Sequence, residues 1–181
     1  MIAHKETEMA AAPVFLPLEE YLRTSYSPDA EYIDGQIVER GSTMGENDHS
    51  AWQAAICAWF QPQAVQTGIR VRPELRVQVD SHTFLVPDVT LLDRNLPTEP
   101  VATQTPVAVF EILSPGDSLK RVMKKGEHYE KMGIPTILIL DPDGPAYRFQ
   151  HGKLEPLTER AFLLKGSQAR FDLDEISKLV D

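Results

Sequence analysis

Two carboxylates stand where apolar strands are expected. Glu111 interrupts the run VAVFEILSPG (107–116), and twenty-three positions earlier Asp88 sits inside FLVPDVTLLD (84–93), directly after a proline. A buried carboxylate without a partner costs several kcal/mol, on the order of a lost ion pair. Two such acids in neighbouring strands repel each other if both ionise, so they call for a cation between them. Oxygen ligands that are few and leave room for water and phosphate suit Mg2+ or Mn2+ better than zinc. The chemistry open to such a pair is metal-assisted attack on a phosphate ester. Against this stands the plainer role of an acid in a strand, that of an edge residue or an ion-pair partner.

A third residue comes from the helix predicted after the Glu111 strand, DSLKRVMKKGEHYEKMG (117–133). With Val122 at the centre of its apolar face and 100° per residue, Gly126, Tyr129 and Gly133 form the inward stripe. Lys125 falls roughly 60° from the centre, beside Tyr129, whereas Lys124 falls roughly 160° away, toward solvent. A lysine at the margin of a buried stripe can simply extend its head to water. Of the basic residues, Lys125 is still the one best placed to approach the acids, with Tyr129 packing beside it and orienting it.

The elements that position these residues are read from local patterns. PLEEYLRTSY (17–26) has helical periodicity, and EYIDGQIVER (31–40) is a hairpin signal around Asp34-Gly35. NDHSAWQAAICAWFQ (47–61) reads as a helix capped by Asn47 or Asp48, with Pro62 just beyond its end. GIRVRPELRVQVD alternates at period two and puts Arg70, Arg72 and Arg76 on one strand face, and Ser81-His82 fits a turn. PVAVFEILS (106–114) and PTILILD (135–141) read as strands covered on both faces, with the 117–133 helix between them, capped by Asp117 or Ser118 and closed by Gly133. AYRFQHGKLEPL is a second hairpin around His151-Gly152, and RFDLDEISKLV a short strand and a terminal helix. This order predicts an α/β or α+β fold with a mixed sheet.

Bulk properties narrow the classes. The chain has 181 residues, 42% hydrophobic and 25% charged, which suits one globular domain over 16–181 after a flexible leader over 1–15. A single cysteine, Cys57, leaves no disulfide framework or cysteine-based zinc site and fits a reducing cytoplasm. Cys57 lies in the apolar run AAICAWF and reads as a small core residue. No apolar run reaches membrane-spanning length, and the N-terminus lacks the pattern of a secretion signal. A net charge of −9 argues against broad, nonspecific nucleic-acid affinity but leaves room for a local basic site.

The ordered set VPDV, FEILSPGD, KGEHYEKMGIP and LILDPD, together with EYIDGQIVER and FDLDEI, resembles the Uma-type restriction endonuclease family of the PD-(D/E)XK nuclease superfamily. The resemblance implies a restriction-endonuclease-like core, a mixed central β-sheet flanked by helices. It makes Asp88 and Glu111 the metal-binding acids, joined by the Ile112 carbonyl, and adds Glu31 as an early acidic position near the metal. The superfamily pattern has a lysine two residues after the second acid; here that residue is Leu113, and Lys125 matches the family variant in which the following helix supplies it. His49 matches a position where family members often carry histidine, although an exposed residue in the first turn of a helix is an equal reading.

The activity expected on these grounds is Mg2+- or Mn2+-dependent hydrolysis of DNA phosphodiesters by Asp88, Glu111, Lys125 and Glu31, with His49 and Tyr129 in support. The DNA-facing residues would be Arg70, Arg72, Arg76, Lys120, Arg121 and Lys124, and a homodimer would cut both strands. Other classes stay open: a catalytically weak nuclease-fold module that binds DNA or a protein, or a scaffold in which the acids and Lys125 form only a buried ion network. Glycoside hydrolysis, which also uses paired carboxylates, is disfavoured because both tryptophans, Trp52 and Trp59, sit on a predicted helix rather than in a sugar cleft.

Overall fold

Ala108–Ile112, the strand that carries Glu111, is buried along its whole length inside a six-stranded sheet. The computed structural model describes residues 15–26, 30–39, 47–115 and 117–180, so residues 1–14 of the expected leader lie outside it. Its elements are α1 (Leu18–Arg23), β1 (Ala30–Ile33), β2 (Gln36–Glu39), α2 (Asn47–Gln63), β3 (Ile69–Pro73), β4 (Val77–Asp80), β5 (Thr83–Leu85), β6 (Val89–Asp93), β7 (Ala108–Ile112) and α3 (Leu119–Met132). They are followed by β8 (Ile137–Leu140), β9 (Ala146–Gln150), β10 (Lys153–Pro156), β11 (Ala161–Leu163), β12 (Arg170–Asp172) and α4 (Leu173–Ser177).

The large sheet runs in the order β10-β9-β8-β7-β6-β3, and a smaller one in the order β2-β1-β5-β4. Only β7 and β8 pair parallel in the large sheet, which is therefore mixed. A parallel pair needs a crossover, and α3 provides it. Helices α2 and α4 cover one face, where Phe60, Phe110 and Phe171 meet; α3 covers the other, against Val109, Ile137, Ile139 and Phe149. The fold is α+β, a multi-strand mixed sheet flanked by helices. Among the described residues, no helix is long and apolar enough to cross a membrane.

Both hairpins form where Asp-Gly and His-Gly demand them. Asp34 and Gly35 take φ of 51° and 83°, and His151 and Gly152 take 52° and 70°, the left-handed pair that a two-residue turn between twisted strands requires. Helix α3 starts at Ser118, whose side chain accepts from the Arg121 N–H, and ends at Gly133 in the left-handed conformation.

Several expectations are corrected. Pro62 lies inside α2 rather than beyond it, because the helix stays packed through Phe60 and proline in a last turn forfeits little more than one hydrogen bond. Asn47 and Asp48 already belong to that helix. FLVPDVTLLD is two strands, not one: β5 joins the small sheet, β6 the large, and the break at Val86–Asp88 lets the chain pass between them. GIRVRPELRVQVD divides likewise into β3 and β4, so Arg76 leaves the face of Arg70 and Arg72. Instead its guanidinium stacks 4.6 Å from the Tyr21 ring centre and donates to the Tyr21 and Thr24 carbonyls. Gly133 is an exposed cap, not part of the inward stripe of α3. Strand β11 had no advance signal.

Candidate functional site

Period two along β7 sends Ala108, Phe110 and Ile112 toward α2, and Val109 and Glu111 toward α3. On α3 the inward residues are Val122, Lys125, Gly126 and Tyr129, while Lys124 is exposed. The helix can lie this close because residue 126 is glycine: a Cβ there would fall 2.5 Å from Phe149 Cδ2 on β9. Lys125 is thereby brought down onto Glu111, its Nζ 2.5 Å from Oε2, while the Tyr129 hydroxyl donates to Oε1 at 2.5 Å.

The third member comes from the small sheet. On β1, Tyr32 turns toward Tyr21 and Phe84, so Glu31 points the other way, into the space under α3. Its Oε1 lies 2.9 Å from Lys125 Nζ and accepts from the Val86 N–H at 3.2 Å; its Oε2 lies 3.4 Å from the Arg121 guanidinium. Lys125 therefore bridges two carboxylates from two different sheets. Glu31 is 0% exposed, Glu111 7% and Lys125 7%, so the bridge lies in a low-dielectric setting.

Burial alone would push the Glu31 carboxyl up. The charge and hydrogen bond of Lys125, the Val86 N–H and Arg121 outweigh that and hold it below its ordinary 4.5. The Tyr129 hydroxyl is pushed well above its ordinary 10.0, first by burial, then by the negative charges of Glu111 and Glu31, its hydrogen bond to Glu111, and Asp88. Tyr129 is accordingly a donor at any physiological pH.

Asp88 occupies the bend directly before β6, 1% exposed. Its Oδ2 accepts from the Ile112 N–H at 2.6 Å, one residue beyond Glu111, and its Oδ1 lies 3.3 Å from His49 Nε2 in the first turn of α2. The Gln53 amide, one turn further along α2, donates to the Asp88 carbonyl at 2.9 Å. What the structure sets against Asp88 is thus the N–H of Ile112. All the residues singled out from the sequence, Glu31, His49, Asp88, Glu111, Ile112, Lys125 and Tyr129, lie in one connected region between the two sheets, α2 and α3.

Gln53, Val86 and the Arg121–Glu31 pair were not foreseen as parts of the site. The last had a readable signal, since Arg121, Lys125 and Tyr129 succeed one another at i, i+4 and i+8 on one side of a helix. Gln53 and Val86 had none, because their role depends on long-range packing.

In donor type the site suits a hard divalent cation. Glu31, Asp88 and Glu111 are oxygen ligands of the right type, and three buried acids against Lys125 and Arg121 leave an excess of negative charge. They do not converge as a finished cage: among the described residues, no three His, Cys, Asp or Glu side chains group as a metal site. The Lys125 ammonium is the cation between Glu31 and Glu111 here.

One solved structure shares this fold. A crystal structure of a "putative nuclease belonging to DUF820" from Anabaena variabilis matches with a TM-score of 0.68 and 25% identity, over 92% of this chain and 99% of that one. A cryo-electron-microscopy structure of a DrdV–DNA complex matches at a TM-score of 0.43 and 19% identity, over 75% of this chain and 12% of that one. No curated protein matches the chain. The family model Uma2, described as "Putative restriction endonuclease", matches residues 18–159, a span running from α1 past β10 that takes in every residue of the site, and the chain belongs to that family.

Proposed function

We propose that the protein is a divalent-metal-dependent endonuclease that hydrolyses DNA phosphodiesters at the Asp88–Glu111–Lys125 site. The observation that carries this is Lys125: a buried ammonium delivered by α3 onto Glu111, in a chain that has Leu113 where a strand lysine would stand. Asp88 and Glu111, with the Ile112 carbonyl and Glu31, are the residues that would hold Mg2+ or Mn2+. When bound, such an ion supplies polarisation of the phosphate and a lowered pKa for water.

The remaining work belongs to the chain. Lys125, tied to Glu111, orients the attacking water and faces the negative charge that develops on the phosphate. Tyr129 holds the other Glu111 oxygen, so the carboxylate keeps one orientation. His49 fixes Asp88 from α2, and Arg121, 28% exposed at its side chain, offers its outer N–H groups to a phosphate oxygen at the mouth of the site. Cutting both strands of a duplex calls for two copies of the chain, and a homodimer is part of the proposal.

The test is nicking of supercoiled plasmid with Mg2+ or Mn2+ by the wild type, Asp88→Ala and Lys125→Ala. Nicking by the wild type alone supports the assignment, and equal nicking by all three overturns it. A second class has its own support: both Glu111 oxygens already have partners within the protein, as in a closed ion network. Calorimetry with Mn2+ separates the two, since a network serving only as scaffold takes up no ion.

A further inference from the structure

A cleft of about 210 Å3 opens beside the edge strand β3, away from the acidic site. Gln61, Arg70, Arg72 and Arg94 line it, with Ala64 and Val71 between them. In a chain of net charge −9, three guanidinia around one cleft are out of keeping with their surroundings. Among the described residues none of the three has a carboxylate partner. Two are held instead by backbone carbonyls: Arg70 donates to the Arg94 and Leu96 oxygens at 3.0 and 3.2 Å, and Arg72 to the Val71 oxygen at 2.7 Å.

Those bonds do not discharge the guanidinia. They fix the forks of Arg70 and Arg72 and leave further N–H donors on each, next to the exposed Arg94. Asp93 and Glu99 line the neighbouring pocket with Arg70 but form no ion pair with the three arginines, and a phosphate would relieve the clustered charge through bidentate bonds that match the planar fork. Asp88 directly precedes β6, and Arg94 directly succeeds it. Six residues of extended chain separate the two by about 20 Å. Arg72 and Arg70 sit opposite Thr90 and Leu92 along the same strand. A ligand that reaches from the cleft to the proposed nuclease site is at least that long, and a chain of repeated phosphates meets this requirement.

We infer that the Arg70–Arg72–Arg94 cleft binds the phosphate backbone of a nucleic acid and guides it along the β3 edge to the site at the start of β6. The identity of the ligand as nucleic acid rests on the function proposed above; the anion site itself rests on the three arginines. The experiment is binding of a short fluorescent DNA duplex in EDTA, across a salt series, by the wild type, Arg70→Gln/Arg72→Gln/Arg94→Gln, and Lys153→Gln, with circular dichroism to establish that each is folded.

Three lost phosphate contacts should weaken binding at low salt by at least roughly tenfold and reduce the slope of log affinity against log salt by about 2 to 3. Lys153→Gln, exposed on β10 at the opposite edge of the sheet, should keep the wild-type slope to within about 1. A folded triple variant with unchanged affinity and slope overturns the inference. The two failures are distinguishable. Plasmid nicking that needs Asp88, together with an unchanged salt slope, removes the cleft and leaves the nuclease. A reduced slope in a protein that never nicks removes the nuclease and leaves the cleft.

Discussion

Lys125 Nζ lies 2.5 Å from Glu111 and 2.9 Å from Glu31, so one ammonium joins a strand of the large sheet to a strand of the small one. The consequence for stability is asymmetric. The bridge as a whole adds little over an apolar substitute, but removing one member strands buried charge.

Lys125→Met should therefore lower the stability of the protein by about 3–5 kcal/mol, read from urea unfolding. Lys125→Met combined with Glu111→Gln should recover a large part of the loss. A single variant as stable as the wild type would show that the two acids are relieved in some other way.

Asp88→Asn should separate fold from chemistry. An amide oxygen still accepts from the Ile112 N–H, so the unfolding free energy should stay within about 1–2 kcal/mol of the wild type. Mn2+ binding, measured by calorimetry, should be lost. Equal Mn2+ binding by both proteins would remove Asp88 from the ligand set.

Two groups of the site contribute to the acid and alkaline limits with opposite signs. The Glu31 carboxyl titrates lower in the folded protein than in the unfolded chain, so its stabilisation is complete above about pH 4.5 and is lost as pH falls through the folded value. Glu31→Gln should flatten that acid limb. The Tyr129 hydroxyl titrates higher when folded, so its contribution is intact below pH 10.0 and is lost as pH rises beyond it. Tyr129→Phe should flatten the alkaline limb. Urea midpoints across pH check both.

Gly126→Ala should push α3 off β9. Its Cβ would meet the Phe149 ring at 2.5 Å, and overpacking of this kind costs about 1–3 kcal/mol. Because Lys125 is the neighbouring residue, plasmid nicking should fall as well. Phe149→Leu added to Gly126→Ala should restore part of the stability, and a single variant without any loss would show that the helix has room to spare.

Residues that share one element were readable from the sequence. Lys125 and Lys124 are told apart by a helical wheel, and Glu111 is placed opposite Phe110 and Ile112 by the alternation of a strand. The turns at Asp34-Gly35 and His151-Gly152 reflect the few residue types that tolerate positive φ. What stayed hidden depends on pairing across distance. That FLVPDVTLLD divides between two sheets, or that Arg76 turns back onto Tyr21, is decided by which strand each half meets, and no local period records that choice. Glu31 is an intermediate case: its type and early position are visible through the family resemblance, while the ammonium that joins it to Glu111 is visible only in three dimensions.

Two backbone amides end on the acids themselves: Ile112 N–H on Asp88, and Val86 N–H on Glu31. Deuterium uptake at these two positions is thus a direct gauge of two of the carboxylates, Ile112 for Asp88 and Val86 for Glu31. Any event that draws Asp88 or Glu31 away, whether a proton, an ion or a phosphate, frees an identifiable N–H to exchange. Occupancy of the site becomes measurable without substrate turnover.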